Sequence, residues 1–395
     1  MKALLQEIAN EMNQALGRDL RGLYLYGSLT ADYYQPGESD VNLLAVVGEE
    51  SDWLAVCQAA QPVWQTYSSQ LKQPPLLVKL SALMRHVHLF PNFGYHLAQN
   101  GRLLHGEPNL LGQLPDRSPA EFLSHLANAI MEASAALAPN LLPPEAAHAA
   151  EQNLRSLARR LLKRPIAPEE TAVDLFAYIQ QYLSRKITFL STTQLLPPTT
   201  PTTSPLPGLH AVYKKEMGRI VLVFNQLTIP QIQATDWTRI ADQLTDRCAG
   251  LHATTTVQLR LLTKLESPLD MVFRRYTLDW GKDPLANLKP PRYYSLRHAA
   301  RLPSEIAIKE LPPTYLSAPD TEIGTIIHDF QNKLLNIQLE NEILHRLDYL
   351  ERFVLDKPLP DRDAPAPERL RAIFDHLDQW SQFYYDMMKR EAAAA

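Results

Sequence analysis

Between residues 18 and 110, short apolar runs alternate with amphipathic stretches. GLYLYG at 22–27 and VNLLAVV at 41–47 read as strands, the second too apolar to face water on either side. SDWLAVCQAAQPVWQTYSSQLK at 51–72 has helical spacing. LLVKLSA at 76–82, after a proline pair, reads as a third strand. From 117 to 192 the pattern becomes wholly helical, with proline and acidic residues at two of the helix starts. TTQLLPPTTPTTSPLPG at 192–208 lacks apolar periodicity and reads as a stiff linker.

After the linker the order recurs. GLHAVY (208–213) echoes GLYLYG, and RIVLVF (219–224) echoes the 41–47 strand. TDWTRIADQL (235–244) echoes SDWLAVCQAA (51–60), and VQLRLLT (257–263) echoes LLVKLSA. Helical sequence returns at 321–356 and 367–389. The expected fold is α+β: a mixed sheet with helices and then a helical bundle, duplicated as a degenerate second copy. Its boundaries are a sheet domain at 1–115, helices at 116–191, a linker at 192–207, a second sheet domain at 208–315 and helices at 316–395.

Composition narrows the setting. No apolar run approaches the ~20 residues that span a bilayer. Glu7 and Glu11 interrupt the first stretch where a signal peptide would be apolar, so a cytoplasmic protein with no membrane partner is expected. Two cysteines imply neither a disulfide framework nor a thiolate metal site. A net charge of −4 argues against a surface built for nucleic acid.

The chemistry-bearing stretch is Leu25-Tyr26-Gly27-Ser28, eleven residues, then Asp40-Val41-Asn42-Leu43. A strand that delivers Gly27 and Ser28 into a tight turn at a helix start lets the backbone approach a phosphate. Asp40 and Asn42, two apart, share one face of the next strand. This pattern resembles the nucleotidyltransferase superfamily of DNA polymerase beta, closest to its antibiotic- and minimal-nucleotidyltransferase branches.

The resemblance covers roughly 1–110 and implies a nucleotide site. Gly27 and Ser28 would hold the phosphates, Asp40 would be the catalytic carboxylate and metal ligand, and Asn42 a weak auxiliary ligand. An active member would use Mg²⁺ and an NTP, moving a nucleoside monophosphate to a hydroxyl of a small molecule or protein. This chain departs from the pattern at Asn42, which brings no charge, and on its third strand, which has no acid. There Lys79 and Ser81 face the expected site, with Arg260 in the second half. Lys79 is read as a nucleotide-binding cation whose ammonium pairs with Asp40 in place of a metal; the alternative is a lysine reaching out to solvent.

A degenerate member that binds a nucleotide or phosphorylated small molecule with weak or no turnover is therefore expected. An active enzyme, or a scaffold forming a homodimer or holding a protein partner through its helical domains, are the alternatives. Arg155, Arg159 and Lys163, with Arg160 and Arg164, read as a solvated basic face. His86 and His88 read as a polar loop or helix start, Glu145 and Glu151 as ordinary helix acids, and Trp53 and Trp237 as core anchors.

Overall fold

The computed structural model describes all residues except 31–39, 115–118, 191–205, 216–218, 238, 241–249, 265–275, 285–291, 320–321, 347–349, 355–359, 361–362 and 395. The chain is α+β and forms two compact units. One combines Met1–Arg117 with Pro291–Ala395; the other is Ser118–Pro290.

In the first unit, α1 (Lys2–Leu16) buries Leu5, Ile8, Met12 and Leu16, the stripe its spacing dictates. There follow β1 (Leu20–Tyr26), β2 (Asn42–Val47), α2 (Trp53–Leu71), β3 (Leu76–Lys79), α3 (Leu80–Leu89), α4 (Pro91–Asn100) and β4 (Arg102–Gly106). The sheet order is β3-β2-β1-β4. β1 runs antiparallel to β2 and β4, and β2 runs parallel to β3. On one face Tyr24, Leu44, Val46 and Val78 pack against Leu83, Val87 and Leu97.

The second unit begins with α5 (Pro119–Ala133), α6 (Pro144–Leu162) and α7 (Ala172–Leu190). Then come β5 (Leu209–Lys215), β6 (Arg219–Phe224), α8 (Ile229–Ala234), β7 (Gly250–Thr255), α9 (Thr256–Lys264) and β8 (Tyr276–Gly281). Its sheet order is β7-β6-β5-β8. Leu126, Ile130, Leu154, Phe176 and Ile179 from the three helices share one core with Val212, Leu222 and Leu251 of the sheet.

The chain then re-enters the first unit. It forms α10 (Arg292–Glu305), a π-helical segment (Ile306–Glu310), α11 (Leu311–Ser317), α12 (Ile323–Arg346) and α13 (Ala366–Ala394). Trp53 of α2 stacks on Phe374 of α13 at 4.7 Å and meets Tyr315 of α11 edge-on. The helices sharing a unit with the first sheet are thus the last in sequence, whereas the reading above gave it those that directly follow.

The two sheets match strand for strand. Both have one parallel and two antiparallel pairings, and both shift register twice on the central strand, at Leu20/Gly22 and Leu23/Tyr24, and at Leu209/Ala211 and Val212/Tyr213. β4 and β8 each end on a positive-φ glycine, Gly106 and Gly281. A Cβ there would strike the Arg21 or His210 carbonyl, so only glycine fits.

Two strand readings need correction. Ser81 lies in α3 and Arg260 in α9. In register, Val47 pairs with Lys79 as Phe224 pairs with Thr255, so Lys79 corresponds to Thr255 and not to Arg260. The helix at 256 starts because Thr255 and Gln258 cap it reciprocally: the Gln258 amide N–H donates to Thr255 Oγ1, and the Thr255 N–H donates to Gln258 Oε1 at 3.0 Å.

Candidate functional site

β1 hands the chain to Gly27 at φ +86°, a conformation that favours glycine. A Cβ at Gly27 would lie 2.7 Å from Asn42 Nδ2. That contact follows from register, since Tyr26 pairs with Asn42. Ser28–Thr30 form a single 3₁₀ turn, where Thr30 Oγ1 donates to the Gly27 carbonyl at 2.9 Å. The reading of Ser28 at a longer helix start falls partly on 31–39, outside the described residues.

Asp40 lies two residues before Asn42, beside that same end of the sheet. Its Oδ2 accepts a 2.8 Å hydrogen bond from Gln73 Nε2. Val41 and Leu43 between and beyond them are buried, as strand alternation requires. Among the described residues, the end of the sheet marked by Gly27 and Asn42 thus gathers one carboxylate and two amides.

Lys79 is not there. β2 and β3 run parallel and Lys79 pairs with Val47, five residues along the strand from Asn42, or roughly 16 Å. The expected Lys79–Asp40 pair is excluded by that distance. Lys79 acts instead on Asp375 of α13: burial raises the Asp375 carboxyl, and the Lys79 charge partly offsets the rise. At the Asn42 end, the approach to β3 is Gln73-Pro74-Pro75-Leu76, with no acid.

Among the described residues, the donor set does not fit a two-magnesium centre. Asp40 supplies one carboxylate, Asn42 a neutral amide, and Gln73 already donates to Asp40. Among the described residues no three His, Cys, Asp or Glu side chains gather as a metal site.

The other candidates are engaged structurally. Arg155 donates to Glu151 at 3.0 Å and to the Glu170 carbonyl at 3.1 Å. Arg164 grips the Glu170 carboxylate through both terminal nitrogens, and those bonds hold its pKa down at about 2. The basic helix face therefore folds a loop onto itself. His86 and His88 lie on α3, not in a loop. His86 is fully buried with Nδ1 2.9 Å from Ser304 Oγ, and His88 Nδ1 meets the Tyr385 hydroxyl at 3.1 Å. Trp53 and Trp237 are buried, Trp237 Nε1 donating to the Ile232 carbonyl at 3.0 Å.

Sequence reasoning missed the residues beside the Gly27 end. Phe93 of α4 meets the Tyr26 ring edge-on at 5.7 Å, and burial raises the Tyr26 phenol pKa. Lys309, in the π-helical segment, lies 5.5 Å from the Phe93 ring centre. No signal links position 309 to position 26 along the chain. No helix among the described residues is long and apolar enough to cross a membrane. No family model matches the chain, and no curated protein matches its sequence.

Proposed function

We propose that this chain is a degenerate nucleotidyltransferase-like protein that binds a nucleotide or phosphorylated small molecule at the Gly27–Ser28 turn, with weak or no turnover. The observation that carries the reading is Gly27 at positive φ, where an L side chain is strained and would displace the Asn42 amide, with Asp40 at the same sheet end. A backbone without a side chain at this turn can be approached closely by a phosphate. One carboxylate with no acid at the near end of β3 favours binding over two-metal chemistry. The second sheet is read as a degenerate copy: it repeats the strand order, but Arg219 stands where Asn42 does in the first.

Thermal unfolding of the full chain tests this, with ATP, GTP, CTP and UTP, with Mg²⁺ and with EDTA. Nucleotide at a hundred times its Kd should stabilise the fold by about 2.7 kcal/mol. The shift should persist in EDTA and vanish in Gly27→Val. Ser28→Ala keeps the backbone free, so it should weaken the shift without changing the unliganded melting temperature. Mg²⁺-dependent transfer of a labelled nucleotide, lost in Asp40→Asn, would establish the enzyme instead. No stabilisation by any nucleotide would overturn the reading.

A further inference from the structure

α12 is apolar on two sides. Its inner side buries Ile326, Ile327, Phe330, Leu334 and Ile337. On its outer side Leu335, Leu339 and Ile343 are 56%, 64% and 52% exposed. They recur every fourth residue and so form one ridge about 12 Å long. No other element among the described residues exposes more than one large apolar side chain. A groove of about 750 Å³ adjoins the ridge, where Leu335 and Leu339 meet Phe353, Trp380 and Val354, the last itself 71% exposed. Contiguous apolar surface of this kind marks a place that another molecule covers.

The charges along α12 favour one occupant. At its C-terminal end Arg346 and Arg352 share a single carboxylate, Glu342, at 3.2 and 3.5 Å. Among the described residues that end therefore carries one positive charge in excess. Toward the N-terminal end Lys333 is matched by Glu310, and the exposed Asp329 adds a negative charge. The ridge thus lies between a negative end and a positive end. Two such helices laid parallel would set like charges together; laid antiparallel, they are complementary.

The side chains are also placed evenly about Leu339. Leu335 and Ile343 lie four residues to either side of it, and Asn332 and Arg346 seven. With Leu339 on a two-fold axis, each Leu335 meets the other copy's Ile343. Arg346 stands about 10 Å along the helix from that axis and Asp329 about 15 Å in the opposite direction. The rotation therefore brings each Arg346 within a side chain's span of the other copy's Asp329. We infer that α12 is a dimer interface, pairing antiparallel with the α12 of a second copy of this chain about an axis at Leu339. The inference stands apart from the nucleotide reading.

Sedimentation velocity of the full chain over a wide concentration range tests it. The wild type should show a concentration-dependent monomer–dimer equilibrium. Leu339→Glu sets two carboxylates on the axis and should weaken association at least tenfold. Its monomer should melt like the wild type's, because the position is exposed. Arg346→Asp and Asp329→Arg should each weaken association, and the double variant should restore it, since the pair is only reversed. A dimer tightened by Arg346→Asp would mean that the arginines face one another, which overturns the antiparallel pairing. Single losses that the double variant does not restore would overturn it as well. A dimer indifferent to Leu339→Glu would place the interface elsewhere and sink the inference. A wild type monomeric at every concentration would do the same, and its binding to phosphatidylglycerol vesicles, lost in Leu339→Glu, would give the ridge to lipid instead.

Discussion

His86 shows what a buried ionisable group does to stability. Its pKa is held well below the usual imidazole value, first by burial and then by the charges of Lys309, Arg301 and Arg85. In the unfolded chain the same ring takes up a proton near pH 6.5. The unfolded state therefore binds more protons as pH falls through that value, and the native state loses stability below it. Between pH 7 and pH 5 this one group should cost up to about 2 kcal/mol. His86→Gln can still reach Ser304, so its urea midpoint should fall less than the wild type's over that interval; parallel curves would mean that His86 protonates in the fold. The residues of the Gly27 end were legible because their spacing along two consecutive strands is a local property. Lys79 misled because a side chain's face can be read from alternation, but its height along a neighbouring strand depends on register, which only pairing fixes.

Helix starts divide in the same way. α2 begins at Asp52, whose carboxylate accepts from the Leu54 and Ala55 amides and from Arg371 of α13 at 2.9 Å. Burial alone would raise this carboxyl, but the Ala55 and Leu54 amides and Arg371 outweigh it and lower the pKa. The stabilisation is thus present above the ordinary carboxylate range and is lost as pH falls through the lowered value. Asp52→Ala should destabilise by about 1 kcal/mol in urea unfolding at pH 7. Asp52→Asn keeps the cap and loses only an exposed ion pair, so it should cost well under half of that. Equal losses would assign the stability to Arg371 rather than to the cap. Such a cap is visible as Asp before a helical run, whereas the Thr255…Gln258 box at α9 is hidden when 257–263 is read as a strand. The start of α3 carried no such signal. Its cap is the Glu49 carboxylate, which reaches from the turn after β2 to accept from the Ser81 amide at 2.7 Å and hydroxyl at 2.6 Å. A cap supplied from 32 residues away leaves the run after β3 looking like more strand.

At the scale of the molecule, the α+β composition and the recurrence of strands were legible, because each depends on short-range periodicity. Which helices complete which sheet was not, since both bundles present apolar stripes and the chain does not label their targets. The unit at 118–290 is continuous and holds its own core, so that fragment alone should give a cooperative urea transition with native-like helical circular dichroism. The fragment 1–117 should not. It leaves Trp53 without Phe374, and Arg85 without Asp378 and Gln382. A cooperative 1–117 beside an unfolded 118–290 would mean that the compact units are not the folding units.

The return of the chain to its first unit also sets an order of events during synthesis. A ribosome completes the first sheet early, yet Ile308, Tyr315 and Phe374, which pack against it or its helices, lie beyond the whole of 118–290. At ~5–20 residues per second, the segment between takes roughly 10–35 s to translate. For that interval the apolar flank of α2, Trp53 included, stands uncovered on a nascent chain while a complete neighbour folds downstream of it. The first unit is begun earliest and finished last, and during the wait it offers exposed apolar surface of the kind that chaperones hold.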